Sequence, residues 1–389
     1  MPLEMKSLQL LRKQVQQQFG RPLQSARDCE ELSAELEEDF KITISPQSIR
    51  RFFGLIKYTG GYSVYTLDSL AQYCGTVNYA DFKNKLLHNE LSSFFTEASG
   101  DAPTPDYWQL SEDLCRKIAS SPELLITLHH DLLSYPLARQ YFLEHHPMRD
   151  MAATVYTQYF HEYLKYNDDN EAKLFAYGFL FMGAFLSENT ALMELYFQKV
   201  FETELTEEVY VLPAGRKYGV ILLYADYIGN EKLFMQTWAE MLTAREQYLD
   251  ASRHSVCSFE SSVLEYLIYT ERTEEMDFLI AHNTEQQYRD RKFVPQERKQ
   301  SHDTAWQILC AAAACRKNEK ETCRQLLATV QLDRLDFGWR KYYEILYLFL
   351  TIHCAEPAEP KRLFKQLQLL IRDTHFSWYR HQLTQLELS

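Results

Sequence analysis

Apolar side chains recur every three or four positions along most of the chain, the spacing that places them on one face of an α-helix. Over residues 1–97 this pattern predicts four or five helices. Leu8–Phe19 is the first and Arg27–Phe40 the second, with Asp28 as candidate N-cap and Leu32 and Leu36 on one face. Ser45-Pro46 is a strong start signal, a capping hydroxyl followed by a residue whose fixed φ suits the first helical turn. The third helix is expected from Pro46 to about Ile56, with Ile49, Phe52, Phe53 and Ile56 inward. After the loop from Tyr58 to Tyr62, Ser63 caps a fourth helix carrying Leu67, Leu70, Ala71 and Cys74, which Gly75 stops. A last helix covers about Tyr79–Phe95.

The periodicity breaks at Ala98–Pro105, where small, polar and proline residues concentrate, so residues 98–105 are read as a linker. Beyond it, residues 106–389 repeat one motif: a long aromatic-rich helix, a short polar turn and a second amphipathic helix. The turns are Ser187–Asn189, Gly229–Glu231, Glu271–Glu274, Lys317–Glu319 and Glu356–Glu359, separated by roughly 42, 42, 46 and 39 residues. Their helix pairs are 171–186 with 190–201, 216–228 with 232–245, 257–270 with 274–282, 303–315 with 320–330, and 338–353 with 360–372. Two less regular pairs are expected over 105–165. The fold class is therefore all-α, a small helical head followed by an array of helical hairpins. A body of this length is too long for one ordinary globule and suits a repeat array.

Composition agrees with this reading. Only 12 glycines and 12 prolines occur in 389 residues, which disfavours a turn-rich β fold. Charge then separates the two regions. Residues 1–90 hold about eleven basic and eleven acidic side chains, so the net charge of −13 falls on the remainder. An acidic body repels phosphate, and any nucleic-acid contact is expected on the head. The eight cysteines lie among apolar neighbours without a C-x-x-C pair and read as small core residues of a reducing compartment. Met1–Phe19 lacks the apolar centre of a secretory signal, and the longest apolar run, Leu174–Leu186, falls short of a bilayer span. A cytoplasmic protein without a membrane segment is expected.

The segment from Ile44 to Gly54, together with Tyr65–Gly75, resembles the centre of the Xre/lambda-repressor-like helix-turn-helix domain. Ser45, Ile49, Arg50 and the run from Thr66 to Gly75 carry the likeness, which covers roughly residues 27–75. Two departures stand out: the turn after the second helix is about five residues longer than in that family if Ala34 takes the usual small-residue position, and its usual glycine is missing. The same segments are similar to the N-terminal part of uncharacterised Bacteroidetes proteins, a likeness that implies no activity. The helical array is similar to tetratricopeptide repeats, without their full consensus. Xre-type regulators with such C-terminal arrays imply a DNA-binding transcriptional regulator whose array senses a ligand, peptide or partner. They also imply a homodimer, because one recognition helix reads only a half-site.

Side-chain direction gives this expectation its residues. With Ile49 and Phe52 inward, Gln47, Arg50, Arg51 and Gly54 face outward, and Gln and Arg can pair with adenine and guanine edges. Ser45, Ser48, Lys57 and Tyr58 complete the candidate DNA-binding set, the last two for backbone phosphate. The competing reading is a packed helix with solvated arginines answered by Glu37, Glu38 or Asp39, in a protein that only binds other proteins. For the body, Tyr177, Tyr218, Tyr224 and Tyr266 are the candidates for lining a groove that takes a peptide or protein segment. The acidic run Glu30–Asp39 and the basic segment Arg289–Lys299 read as solvated surfaces. His129-His130 and His145-His146 are neighbours that diverge by about 100° on a helix and cannot share an ion, so no metal site is assigned. Catalytic and cofactor signatures are absent: no G-x-S-x-G, phosphate-binding loop, G-x-G-x-x-G or H-E-x-x-H occurs. No enzyme activity and no cofactor are therefore expected.

Overall fold

The computed structural model describes residues 3–58, 60–83, 85–86, 113–286, 296–354 and 360–388, which contain helices and turns and no strand. The linker 98–105, the far end of the helix expected to reach Phe95, most of Arg289–Lys299 and the turn Glu356–Glu359 lie outside the described residues. The chain divides into two units, Met1–Gly100 and Asp101–Ser389.

In the first unit, α1 (Leu3–Gln18), α2 (Ala26–Phe40), α3 (Pro46–Phe52) and α4 (Val64–Tyr73) enclose one core. Leu11, Val15, Leu32, Leu36, Ile49, Phe52 and Leu70 are completely buried there. Ser25, not Asp28, caps α2. The Ser25 hydroxyl accepts the Asp28 amide, and the Asp28 carboxylate accepts the Ser25 amide in return, a reciprocal capping box. The α2–α3 turn has no glycine because Lys41 takes the left-handed conformation itself, at φ 59°. Ile42 and Ile44 of that turn are buried, and the Ser33 hydroxyl donates to the Ile44 carbonyl at 2.6 Å. These anchors fix a five-residue turn that would otherwise be loose.

Helix α3 is shorter than its apolar pattern predicts. It ends at Phe52 because Gly54 adopts φ +75° and closes the helix. The Gly54 amide donates to the Arg51 carbonyl at 3.1 Å and the Leu55 amide to the Arg50 carbonyl at 2.9 Å, the paired bonds of a Schellman stop. Ile56 is consequently beyond the helix and half-exposed, while Phe53 packs against the edge of the core. The start of α4 is as expected, with the Ser63 hydroxyl accepting the Thr66 amide.

The second unit opens irregularly. Residues 113–119 are helical, followed by α5 (Pro122–Thr127), α6 (Pro136–Arg139) and α7 (Tyr156–Tyr166), with π-helical turns at Leu128–Leu132 and Gln140–His145. Regular pairs follow: α8 (Asn170–Leu186) with α9 (Thr190–Glu202), α10 (Val211–Tyr227) with α11 (Glu231–Arg253), α12 (Phe259–Leu267) with α13 (Thr273–Ala281), α14 (Gln296–Arg316) with α15 (Lys320–Ala328), and α16 (Arg340–Cys354) with α17 (Pro360–Thr374). A further helix that the pattern did not predict, α18 (Ser377–Leu388), ends the chain. The first helices pack successively, α8 on α10, α10 on α12, α12 on α14 and α14 on α16, while each second helix packs on its own partner.

One turn recurs between paired helices. Glu188, Gly229 and Asn318 are left-handed, at φ 57°, 68° and 60°. The next residue, Asn189, Asn230 or Glu319, donates its amide to the carbonyl of Ala184, Ala225 or Ala314 at 2.9, 2.8 and 2.9 Å. The side chains of Asn189 and Asn230 then cap the second helix. Gly219 lets α10 and α12 approach closely, since a Cβ there would collide with the Tyr266 ring. The Tyr266 hydroxyl crosses on to donate to the Gly178 carbonyl of α8 at 3.1 Å, joining three successive first helices.

Two long-range returns close the array on itself. Asp150 accepts the Tyr342 and Lys341 amides at 2.7 and 3.0 Å, capping α16 from 192 and 191 residues away. Arg149, beside it, is buried against Glu265 of α12 at 3.1 Å, with its guanidinium 4.4 Å from the centre of the Trp339 ring. At the other end, α18 packs on α8 and α16: Trp378 lies against Phe185 and Tyr269, and the Tyr379 and Tyr269 hydroxyls are 3.0 Å apart.

Glu265→Gln leaves a charged Arg149 without its partner inside the unit. Stability in urea is expected to fall by about 3–5 kcal/mol. Arg149→Met combined with Glu265→Gln costs less than the two single changes added, because the paired charge is removed from both sides. Strict additivity would mean that the two side chains do not act as a pair.

Candidate functional site

The head's candidate face is built on α3. Ile49 and Phe52 are fully buried and fix the rotation of the helix, which leaves Gln47 exposed and Arg50 and Arg51 half-exposed on the other side. The Arg51 guanidinium lies 5.2 Å from the centre of the Tyr58 ring, and the Tyr58 hydroxyl donates to the Gly61 carbonyl at 3.1 Å. Gly60 permits this folded loop, because a Cβ at that position would strike the Tyr58 ring. Lys57 is exposed beside it. Gln47, Arg51, Lys57 and Tyr58 therefore border one surface.

Ser45 and Ser48 serve the helix first. The Ser45 hydroxyl accepts the Ser48 amide, and the two hydroxyls are 3.0 Å apart. Arg50 points more inward than its neighbours. Its Nε is buried without a hydrogen-bond partner, and its charge opposes the effect of burial, which raises the Cys29 thiol pKa above the ordinary value. Among the described residues neither Arg50 nor Arg51 forms an ion pair, and the acidic side chains Glu37, Glu38 and Asp39 are exposed without answering them. The acidic partners the head does use lie elsewhere, at Arg21 with Asp28 and Glu31. A residue the pattern did not single out braces this face from behind: Arg12 donates to the Tyr62 hydroxyl at 3.0 Å and lies 5.3 Å from the centre of the Phe52 ring.

The body's four candidate tyrosines do not share a lining. Tyr224 is buried and stacks on Phe197 with ring centres 3.9 Å apart. Tyr218 is buried against Phe259, and Tyr266 is buried with its hydroxyl spent on Gly178. Tyr177 is half-buried and stacks on Tyr196. Three of the four, Tyr218, Tyr224 and Tyr266, are therefore packed between helices.

The rings of His129 and His130 pack edge-on, with centres 5.0 Å apart. His129 packs edge-on against Tyr159, whereas His146 is buried with Nδ1 3.1 Å from Asp336. Burial works to raise the Asp336 carboxyl, but the His146 hydrogen bond and the Arg298 guanidinium at 3.5 Å hold it below its usual value. This cluster adjoins Arg149. Burial opposes the charge of that guanidinium, and Glu265 with the surrounding tyrosines outweighs burial, so Arg149 stays ionised. The Tyr343 hydroxyl donates to the second Glu265 oxygen at 3.3 Å. Sequence reasoning missed this polar centre, since Arg149 and Glu265 are 116 residues apart and neither belongs to a motif. It has the character of a structural network, with rings filling the space around it.

Among the described residues, one group of metal-capable side chains stands close enough to share an ion: Cys315, Cys323 and Cys354. No helix among the described residues is long and apolar enough to cross a membrane. No family model, curated protein or solved structure matches the chain.

His302 is the group from which acid sensitivity of the body is expected. It is buried with its ring 4.6 Å from Trp339, and burial first, then Arg298, Arg149 and Lys299, hold its pKa well below 6.5. The unfolded chain takes up a proton there below about pH 6.5 while the folded chain resists it, so stability is lost as pH falls. The thermal midpoint is expected to decline on acidification below that point, and His302→Gln to flatten the decline. An unchanged pH profile in the variant would assign the sensitivity to other groups.

Proposed function

We propose that the protein is a DNA-binding transcriptional regulator, its head contacting DNA through α3 and the following loop and its helical body taking a protein or peptide partner. The observation that carries this reading is the unanswered polar face of Gln47, Arg51, Lys57 and Tyr58 over a helix locked by Ile49 and Phe52. Gln47 and Arg51 are one helical turn apart and suit adjacent base edges, and Lys57 suits a phosphate. Arg50 serves by charge more than by reach, given its inward Nε. The head is read as helix-turn-helix and the body as a tetratricopeptide-like array. Support for the second comes from the recurring left-handed turn after Leu186, Tyr227 and Arg316 and from the stacking of successive first helices. A homodimer follows from the half-site argument.

A protein-interaction scaffold without DNA contact is the second reading. It is favoured by the balance of charge on the head, where eleven basic side chains meet eleven acidic ones within residues 1–90.

Retention of the full chain on double-stranded DNA separates the two. Binding is expected at low salt and to weaken steeply as salt rises. A Gln47→Ala/Arg51→Ala/Lys57→Ala variant should elute at markedly lower salt with an unchanged helical spectrum. Equal retention of variant and parent would remove α3 as the contact, and no retention of the parent at low salt would leave the scaffold reading.

A further inference from the structure

Cys315 and Cys323 are 8 residues apart and Cys354 lies 31 further on, a spacing that follows no familiar metal-binding motif, yet their three sulfurs all lie within 4.8 Å of one another. The fold brings them together in two steps. Asn318, left-handed at φ 60°, reverses the chain between α14 and α15 and lays Cys323 back against Cys315 in the last turn of α14. Helix α16, packed on both α14 and α15, then brings its own last residue, Cys354, to the same end of the stack. Cys323 is completely buried and Cys354 nearly so. All three are free thiols.

From this convergence we propose that the three cysteines form a binding site for one thiophilic d10 metal ion, held by three thiolates. A closed-shell ion about 2.3 Å from each sulfur in tetrahedral geometry sets the sulfurs about 3.8 Å apart, which falls inside the 4.8 Å that bounds the trio. The group contains no oxygen donor, which excludes Mg2+ and Ca2+ as occupants and leaves Zn2+ or Cu+. Binding is a proton exchange without redox: three S–H bonds are broken, three metal–sulfur bonds form and three protons leave to solvent.

Access and consequence follow from the surroundings. Cys315 also lines a cavity of about 320 Å3 bordered by Tyr269, Arg316, His353 and Trp378, which gives the ion a route in and leaves Zn2+ room for a water as fourth ligand. An ion here ties α14, α15 and α16 together at one end. Binding to the folded chain alone raises its stability by mass action. The proposal is independent of whether the head binds DNA.

The test uses the full chain, reduced with a non-thiol phosphine. Cd2+, as the spectroscopic probe for Zn2+, is titrated while the ultraviolet sulfur-to-metal band is followed, and a parallel anaerobic arm uses Cu+ against a competing chelator. One ion per chain is expected in at least one arm, and the arm with the tighter binding identifies the ion. Each of Cys315→Ser, Cys323→Ser and Cys354→Ser should weaken binding by more than ~100-fold, beyond what loss of an outer-shell contact costs. Cys310→Ser, in the same helix as Cys315 but outside the trio, should bind like the parent. Bound ion should protect these three thiols from alkylation, mapped peptide by peptide on the parent, which does not depend on any variant folding. The site is overturned if neither ion saturates at one per chain, if the triple serine variant keeps the band, or if the three thiols react equally with and without the ion.

Discussion

The buried pairing of Arg149 with Glu265 is the constraint around which the body is organised. A guanidinium and a carboxylate removed from water are tolerable only together, and here the rings of Trp339 and Phe179 lie against the cation while the Tyr343 hydroxyl donates to the anion. The pair joins the irregular start of the unit to its middle and to the head of α16. Once it is in place, Asp150 stands where α16 needs a cap, and His146 reaches Asp336. A series of hairpins that could otherwise splay is thereby held as one closed stack.

Closure of the stack bears on function. An open hairpin array presents the faces of its first helices to a ligand, whereas here those helices receive residues 146–151 at one place and α18 at another. Three of the four tyrosines expected to line a groove, Tyr218, Tyr224 and Tyr266, are buried against neighbouring helices.

The head solves a different problem with local means. Its core is small, and the orientation of α3 depends on how firmly the turns on either side are held. Lys41 accepts a left-handed backbone in place of the missing glycine, buried Ile42 and Ile44 pin the turn, and Gly54 ends the helix. What results is a short helix with two buried anchors and a polar outer side. Gly54 had the appearance of an outward-facing helical position because sequence periodicity does not distinguish a helix's last turn from the left-handed stop that follows it.

The sequence by itself determined the helices, because period, caps and turn residues act over a few neighbouring positions. Ser45-Pro46, Ser63 and the polar turns near residues 188, 229 and 318 placed helix boundaries to within a few residues, and the apolar faces of α2 and α3 named much of the head's core. It did not reveal α18 as a separate element, nor the Ser25 capping box. Only the tertiary structure decided which polar groups meet. Arg149 with Glu265, Asp150 with the amides of α16, and the sulfurs of Cys315, Cys323 and Cys354 are assembled by helix stacking across long stretches of chain. Hydrogen bonding and packing at such separations leave no periodic trace, since the partners share a place in space and no interval in sequence.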